Sequence, residues 1–315
     1  MREGSYRIAP VSVRDSRNGM TSLLTFKNTP PREVCVLRLS AIGDTCHVLP
    51  VVRTLQAAWP QTRFTWVIGR VEHKLMGLAS DIEFITYDKR GGWAELKRIR
   101  GVLLARRFDL MLHVPARRRL GFDRARAREL QWLFTSHRIH PHERQHVLDG
   151  LYGFAEAVGV HDRVLRWDLP LPPDALAYAH EVVPDSRPTL VVSPCSSHRL
   201  RNWRPEYYAE VADHAARAHG MRVVLTGGRS AIERRTADAI VAAVRTPVVD
   251  QVGKDTLPQL LALLARASVV LTPDSGPAHM ATAVGTPVIG LYAATNPARS
   301  GPYLSRQSCV DRYAQ

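Results

Sequence analysis

The chain of 315 residues has only four cysteines, Cys35, Cys46, Cys195 and Cys309, with no C-x-x-C pair or zinc-ligand spacing among them. That excludes a disulfide framework and a cysteine metal site, and four free thiols are expected. No apolar run approaches the roughly 18 to 20 residues that span a bilayer. The N-terminus, with Arg2, Glu3, Arg7 and Arg14, lacks the continuous apolar core of a signal peptide, so a cytoplasmic protein is expected. No G-x-G-x-x-G follows an opening strand and no G-x-x-x-x-G-K-S/T occurs, so the dinucleotide and P-loop fingerprints are missing. There is no aromatic-rich RNA-binding signature or zinc-finger spacing either, and nucleic acid is not an expected partner.

Acidic residues are the scarcer sign: 29 Asp and Glu stand against 43 Lys and Arg, a formal net charge of +14. The excess is mostly arginine, whose planar fork suits phosphate and carboxylate recognition. One cluster comprises Arg117, Arg118, Arg119, Arg124, Arg126 and Arg128, and a second basic run comprises Lys97, Arg98, Arg100, Arg106 and Arg107. Such patches fit an acidic membrane surface or a phosphorylated lipid, with a merely solvated basic face as the alternative. With 45% apolar and 23% charged residues, the chain is globular and long enough for two domains with cores of their own.

From Val34 onward strands and helices alternate, which predicts an α/β fold with parallel sheets covered by helices. Residues 1–32 read as an irregular N-terminal extension ending in Pro30-Pro31. A first unit is expected over 33–170. A proline-rich stretch at 171–188 reads as a linker, and a second unit over 189–315 restarts the pattern with Thr189 to Ser193.

Two strand-to-helix junctions carry the chemistry. Near the end, the apolar run Ala267 to Leu271 leads into Thr272-Pro-Asp274-Ser275-Gly276-Pro277-Ala-His279, with Pro277 suited to a first helical turn. The free N–H groups and positive dipole end of such a helix attract phosphate, and Gly276 allows close approach. Near the front, Val34 to Leu39 runs into Ser40-Ala-Ile-Gly43-Asp44, with a helix expected near 47 to 58. Asp44 then stands at the C-terminal edge of a sheet, where it either accepts a proton from an incoming hydroxyl or merely caps the helix. His279 is either a phosphate contact or a core histidine, and His47 reads as a supporting residue. Arg199 and Arg201 precede a helix whose start would favour acids, which points to a bound anion.

With Ser40-Ala-Ile-Gly43-Asp44-Thr-Cys-His47-Val-Leu-Pro50 in front and Asp274-Ser275-Gly276-Pro277-Ala-His279 behind, the chain resembles glycosyltransferase family 9, the lipopolysaccharide heptosyltransferases. Arg201-Asn-Trp203-Arg-Pro205-Glu206 and Gly227-Gly228 with Glu233 look like further segments of that family. The resemblance implies a GT-B fold, two Rossmann-like α/β/α domains facing each other across a cleft. The first domain would bind acceptor and the second nucleotide sugar. It implies inverting transfer of heptose from ADP-heptose to the Kdo or heptose inner core on lipid A, with no metal and no cofactor, peripheral to the inner face of the inner membrane.

By the same resemblance Asp44 falls on the general base. Arg201, Ser275, Gly276 and His279 fall on the donor phosphates, Asp274 near the donor sugar, and Glu233 near the nucleoside. Arg38, Arg117, Arg118 and Arg119 are the expected acceptor contacts. Arginine stands at position 201 where many members carry lysine. The stretch after Asp109 to His113 is shorter than the family pattern, and the chain stops at Gln315 before the usual closing helix. The alternative expectation is therefore a degenerate or truncated member that binds nucleotide sugar or anionic lipid without turnover, or a same-fold transferase using another nucleotide sugar.

Overall fold

The structure, a computed structural model, describes residues 29–112, 119–121, 137–139 and 145–313, with only the backbone at 119–121 and 137–138. The first half runs β1 (Glu33–Leu37), α1 (Ile42–Ala58), β2 (Arg63–Gly69), α2 (Arg70–Met76), β3 (Glu83–Tyr87) and α3 (Gly92–Leu104). Three short strands, β4 (Leu110–Leu112), β5 (Arg119–Gly121) and β6 (His137–Arg138), and helix α4 (Val147–Ala157) follow. After α5 (Pro173–Val182) the second half runs β7 (Thr189–Val192), α6 (Pro205–His219), β8 (Arg222–Leu225), α7 (Ala231–Ala243), β9 (Val248–Asp250) and α8 (Leu257–Arg266). It closes with β10 (Val269–Pro273), α9 (Gly276–Ala283), β11 (Val288–Tyr292), α10 (Pro297–Ser300) and β12 (Cys309–Asp311).

Each half builds one all-parallel six-stranded sheet, ordered β3-β2-β1-β4-β5-β6 and β12-β11-β10-β7-β8-β9. Counted within its own half, the second order is the first reversed, so both are the doubly wound Rossmann arrangement. The central strands read VCV, LML and TLVV without polar alternation because helices cover both faces. In each sheet the order reverses beside the first strand, between β1 and β4 and between β7 and β10. Ligands of open α/β sheets bind outside the carboxyl ends of strands at that switch.

Helix α1 begins at Ile42, five residues ahead of the expected start, and puts Asp44 in its first turn. Pro50 lies inside it, a residue that normally marks a helix's first turn and so displaces the sequence-based boundary. Its missing N–H leaves the carbonyl of Cys46 without its helical partner, and the indole Nε1 of Trp167 fills the vacancy at 2.7 Å. Helix α9 lies against the N-terminal part of α1, and one apolar cluster runs from Val34, Leu49 and Trp66 through Leu261, Met280 and Ala281. The two halves therefore share a core.

The stretch expected as a linker, 171–188, differs from that expectation. It holds α5, which packs on α8 through its buried Ala175, Ala179 and Val182, while Arg266 donates to the carbonyl of Val183 at 2.7 and 3.1 Å. Consecutive prolines start this helix at Pro173, where a missing N–H costs nothing. Of the expected extension 1–32, residues 1–28 lie outside the described residues. Strands β5, β6 and β12 are too short to stand out as apolar runs in the sequence.

Candidate active site

The two junctions singled out in the sequence meet where the N-terminus of α1 faces the N-terminus of α9. Gly43 makes the approach possible: a Cβ there would overlap Cδ2 of the His279 ring and lie 3.1 Å from its Nε2. Gly276 faces Ile42 across the same seam, 3.5 Å from where its own Cβ would stand.

On the α1 side, the Asp44 carboxylate pairs through Oδ2 with the Arg38 guanidinium and accepts from the Ala41 amide at 3.2 Å. Oδ1 has no hydrogen-bond partner among the described residues. The side chain is about a third exposed, and Oδ1 is not among the buried unpartnered atoms. Arg38 comes from the end of β1 and Asp44 from the turn that follows, which places both at the switch point of the first sheet.

On the α9 side, Asp274 follows β10 and is buried. Its Oδ2 receives Arg201 Nη1 at 3.2 Å and Ser300 Oγ at 3.4 Å, and Arg201 also reaches the Asp274 carbonyl at 3.4 Å. Arg201 ends a single 3-10 turn, Arg199–Arg201, after β7, so its other guanidinium N–H groups remain for an anion. Ser275 is the N-cap residue of α9, but its hydroxyl is engaged with Thr272 Oγ1 at 2.7 Å and makes no side-chain cap. The first turn of α9 thus has no side-chain cap; Pro277 brings no N–H and Ala278 donates to the Ser275 carbonyl at 3.2 Å, which leaves the Gly276 amide for an anion.

Three buried imidazoles fill the seam behind these groups. His47 from α1 stacks edge-on against His279 with centroids 4.4 Å apart, and against His146 at 5.3 Å. Both ring nitrogens of His47 and Nδ1 of His279 are buried without partners among the described residues. Burial, reinforced by the neighbouring imidazoles and by Arg38 and Arg306, pushes the His47 pKa well below its ordinary value. Burial also lowers that of His279, against the opposing pull of Asp274 and Asp44. His279 is therefore a neutral ring within electrostatic reach of one carboxylate from each half. His146 accepts from Leu148 N at 3.1 Å as the cap of α4, and its Nε2 lies 2.9 Å from the Gly301 carbonyl.

Glu233 stands apart from this cluster, in the first turn of α7. Its carboxylate takes the Gly228 amide at 2.7 Å and the Ser230 hydroxyl at 2.6 Å, while Ser230 Oγ caps the Glu233 amide at 3.3 Å. On a later loop, burial, with a smaller contribution from Glu233, pushes the Asp255 carboxyl up to about 7, and its Oδ2 is buried without a partner among the described residues. Arg117 and Arg118 lie outside the described residues, and Arg119 opens β5 with only its backbone described.

The structure thus brings Arg38, Asp44, Arg201, Asp274, Ser275, Gly276 and His279 to one seam. Sequence reasoning missed His146, Ser300 and Asp255. Ser300 and His146 are far in the chain from the residues they support. Asp255 precedes the Thr256/Gln259 capping box of α8 and reads as part of that cap until its burial is seen.

A model of glycosyltransferase family 9 (heptosyltransferase) matches residues 109–315. The lipopolysaccharide core heptosyltransferase OpsX of Haemophilus influenzae is 39% identical over 298 residues, covering 90% of this chain and 86% of that protein. Among solved structures, a family 9 glycosyltransferase from Veillonella parvula superposes with a TM-score of 0.78 at 22% identity, covering 92% of this chain and 86% of its own. The Escherichia coli ADP-heptose lps heptosyltransferase II follows with a TM-score of 0.73 at 21% identity, covering 88% and 89%. At those identities the structural likeness speaks for the fold, two Rossmann-like domains facing across a cleft in the GT-B manner.

Proposed function

The chain belongs to glycosyltransferase family 9, and from that premise we propose that it moves a heptose from ADP-heptose to a Kdo or heptose hydroxyl of the lipopolysaccharide inner core, with inversion at the anomeric carbon. The observation that carries this reading is the convergence of Asp44 from the first half and Asp274 with Arg201 from the second on the buried His279. A transferase needs a base and a leaving-group site on opposite sides of one sugar, supplied by different domains.

Asp44 serves as the base. Arg38 and the Ala41 amide hold Oδ2, and the free Oδ1 takes the proton of the attacking hydroxyl. As the bond to the donor diphosphate breaks, negative charge gathers on the phosphate oxygens. The remaining donors of Arg201 and the first turn of α9 stabilise it, preorganised by the fold. Asp274, anchored by Arg201 and Ser300, takes the donor sugar's hydroxyls or its developing positive charge. Glu233, fixed by Gly228 and Ser230, offers its remaining lone pairs to the ribose. Arg38 and the arginines 117 to 119 meet the acceptor's anionic groups. The setting is the cytoplasmic face of the inner membrane, with peripheral contact; among the described residues no helix is long and apolar enough to cross a membrane.

The test is ADP release by the purified chain supplied with ADP-heptose, with Kdo-lipid A and heptosylated core as separate acceptors and a chelator present. Release that depends on one acceptor and ignores the chelator supports the reading and names the step. Donor binding with no release on either acceptor replaces it with a non-catalytic binding role.

A further inference from the structure

We propose that the outer stripe of α3 is a docking surface for an anionic lipid bilayer. The inner side of this helix is spent on the fold. Ile99, Val102 and Leu103 pack on Cys35, Val67 and Ile85, on the sheet face opposite α1. Glu95, the helix's one acid, is tied to Arg98 at 2.7 Å and to the Asp88 amide at 2.8 Å.

What remains outward is Trp93, Leu96, Lys97, Arg100 and Leu104, whose spacing of three, four and seven residues aligns them along one stripe. Trp93 is 87% exposed, Leu104 67% and Leu96 47%. Lys97 and Arg100 are exposed and in no ion pair among the described residues. A tryptophan and two leucines interleaved with unpaired cations, with no acid on the stripe, fit neither a water-facing surface nor a protein core. They match the headgroup region of an anionic bilayer, where an indole sits at the interface and the cations meet lipid phosphates.

The place of the stripe in the fold favours the same partner. Because every strand of the first sheet is parallel, the start of α3, just after β3, lies at the sheet edge that carries Arg38 and Asp44. A bilayer lying along α3 would bring the head of a membrane-borne molecule toward the mouth of the cleft. That link to the acceptor rests on the proposed transfer to a lipid-linked sugar; the docking surface itself rests on exposure and charge.

The experiment is co-sedimentation of the full chain with sugar-free vesicles, one set of phosphatidylglycerol and phosphatidylethanolamine, the other of phosphatidylcholine. The wild type is expected to partition onto the anionic set alone and to come off at high salt. The pair K97Q/R100Q should weaken partitioning by about 30-fold, the attraction of two cations. The pair W93A/L104A should also weaken it at low salt, where the wild type stays on the anionic vesicles. Both variants should keep wild-type ADP release with a delipidated, soluble acceptor. Absence of binding to anionic vesicles, or variants that bind as the wild type does, overturns the proposal. So does a wild-type dimer that W93A/L104A turns into a monomer, since a second copy would then be the occupant. Vesicle binding together with failure of ADP release on every acceptor would sink the proposed reaction and leave the docking surface standing.

Discussion

Asp44 and Arg201 are each expected to fail in their own way when replaced. Asp44→Asn keeps the size and the contact with the Ala41 amide but removes the basic oxygen. The turnover number should fall by about 10²- to 10⁴-fold while ADP affinity stays within error, which acceptor-dependent ADP release and calorimetry would check together. Arg201→Ala strips the diphosphate of its cation and frees the buried Asp274 carboxylate from its partner. ADP affinity should drop by about tenfold to a hundredfold, the worth of one charge-assisted contact; unchanged ADP affinity would remove Arg201 from the phosphate site. Both residues are legible in the sequence because they belong to contiguous motifs at strand ends, where position and chemistry coincide. Ser300 and His146 are not legible in that way, since nothing in Asn296 to Ser300 or around His146 announces which distant residue each will support. His47 was visible only as a supporting group. Its place between two other imidazoles depends on the packing of α1, α4 and α9, which no local pattern encodes.

Helices and strands were readable where an apolar run ended in glycine or proline. That covers the central strands of both sheets and most of the helices that follow them, because each of those buried strands is a short uninterrupted apolar segment. Boundaries failed where a residue's usual meaning was overridden, as at Pro50 inside α1 and at the prolines that begin α5 instead of interrupting the chain. Pro50 is tolerated because Trp167 replaces the lost donor, so Trp167→Phe should leave the Cys46 carbonyl buried and unpaired. A loss of about 1 to 3 kcal/mol in urea-unfolding stability is expected, with little change in the shape of the aromatic pocket. The seam between α1 and α9 gives a sharper case. Gly43→Ala would push a methyl into the His279 ring, which also packs edge-on against His47. The halves would have to part slightly at the seam where His279 lies within reach of both Asp44 and Asp274. The turnover number should fall by at least tenfold, a misplacement cost, while the isolated donor site keeps its ADP affinity; equal activity of Gly43→Ala and wild type would show that the seam is loose.

At the scale of the whole molecule, the buried imidazoles join the two halves and make their union depend on pH. Burial lowers the His146 pKa from 6.5 to about 4, and those of His47 and His279 are lowered for the same first reason. Between pH 6.5 and 4 the unfolded chain therefore takes up a proton at His146 that the folded chain does not, and the lowered His47 and His279 act in the same direction. Stability is complete above the unfolded value and drains away as the pH falls toward 4, by at most about 3 kcal/mol for His146 alone. Asp255 works in the opposite sense over much of the same window, because its carboxyl is raised to about 7 and the folded state binds the proton first. Surface carboxylates held low by arginine, such as Asp185 at about 2 beside Arg222, lose their contribution only below about pH 4. The window from 4.5 to 6.5 consequently isolates the imidazoles once Asp255 is silenced. In an Asp255→Asn background, urea midpoints should fall steadily from pH 7 to pH 4.5, and adding His146→Gln should flatten that slope while lowering stability at pH 7. Asp255→Asn by itself should gain stability at pH 8, where the native carboxyl is forced to ionise in a buried site. A flat profile in the Asp255→Asn background would mean that water reaches the three rings, and the seam between the halves would then be a solvated cleft rather than a packed joint.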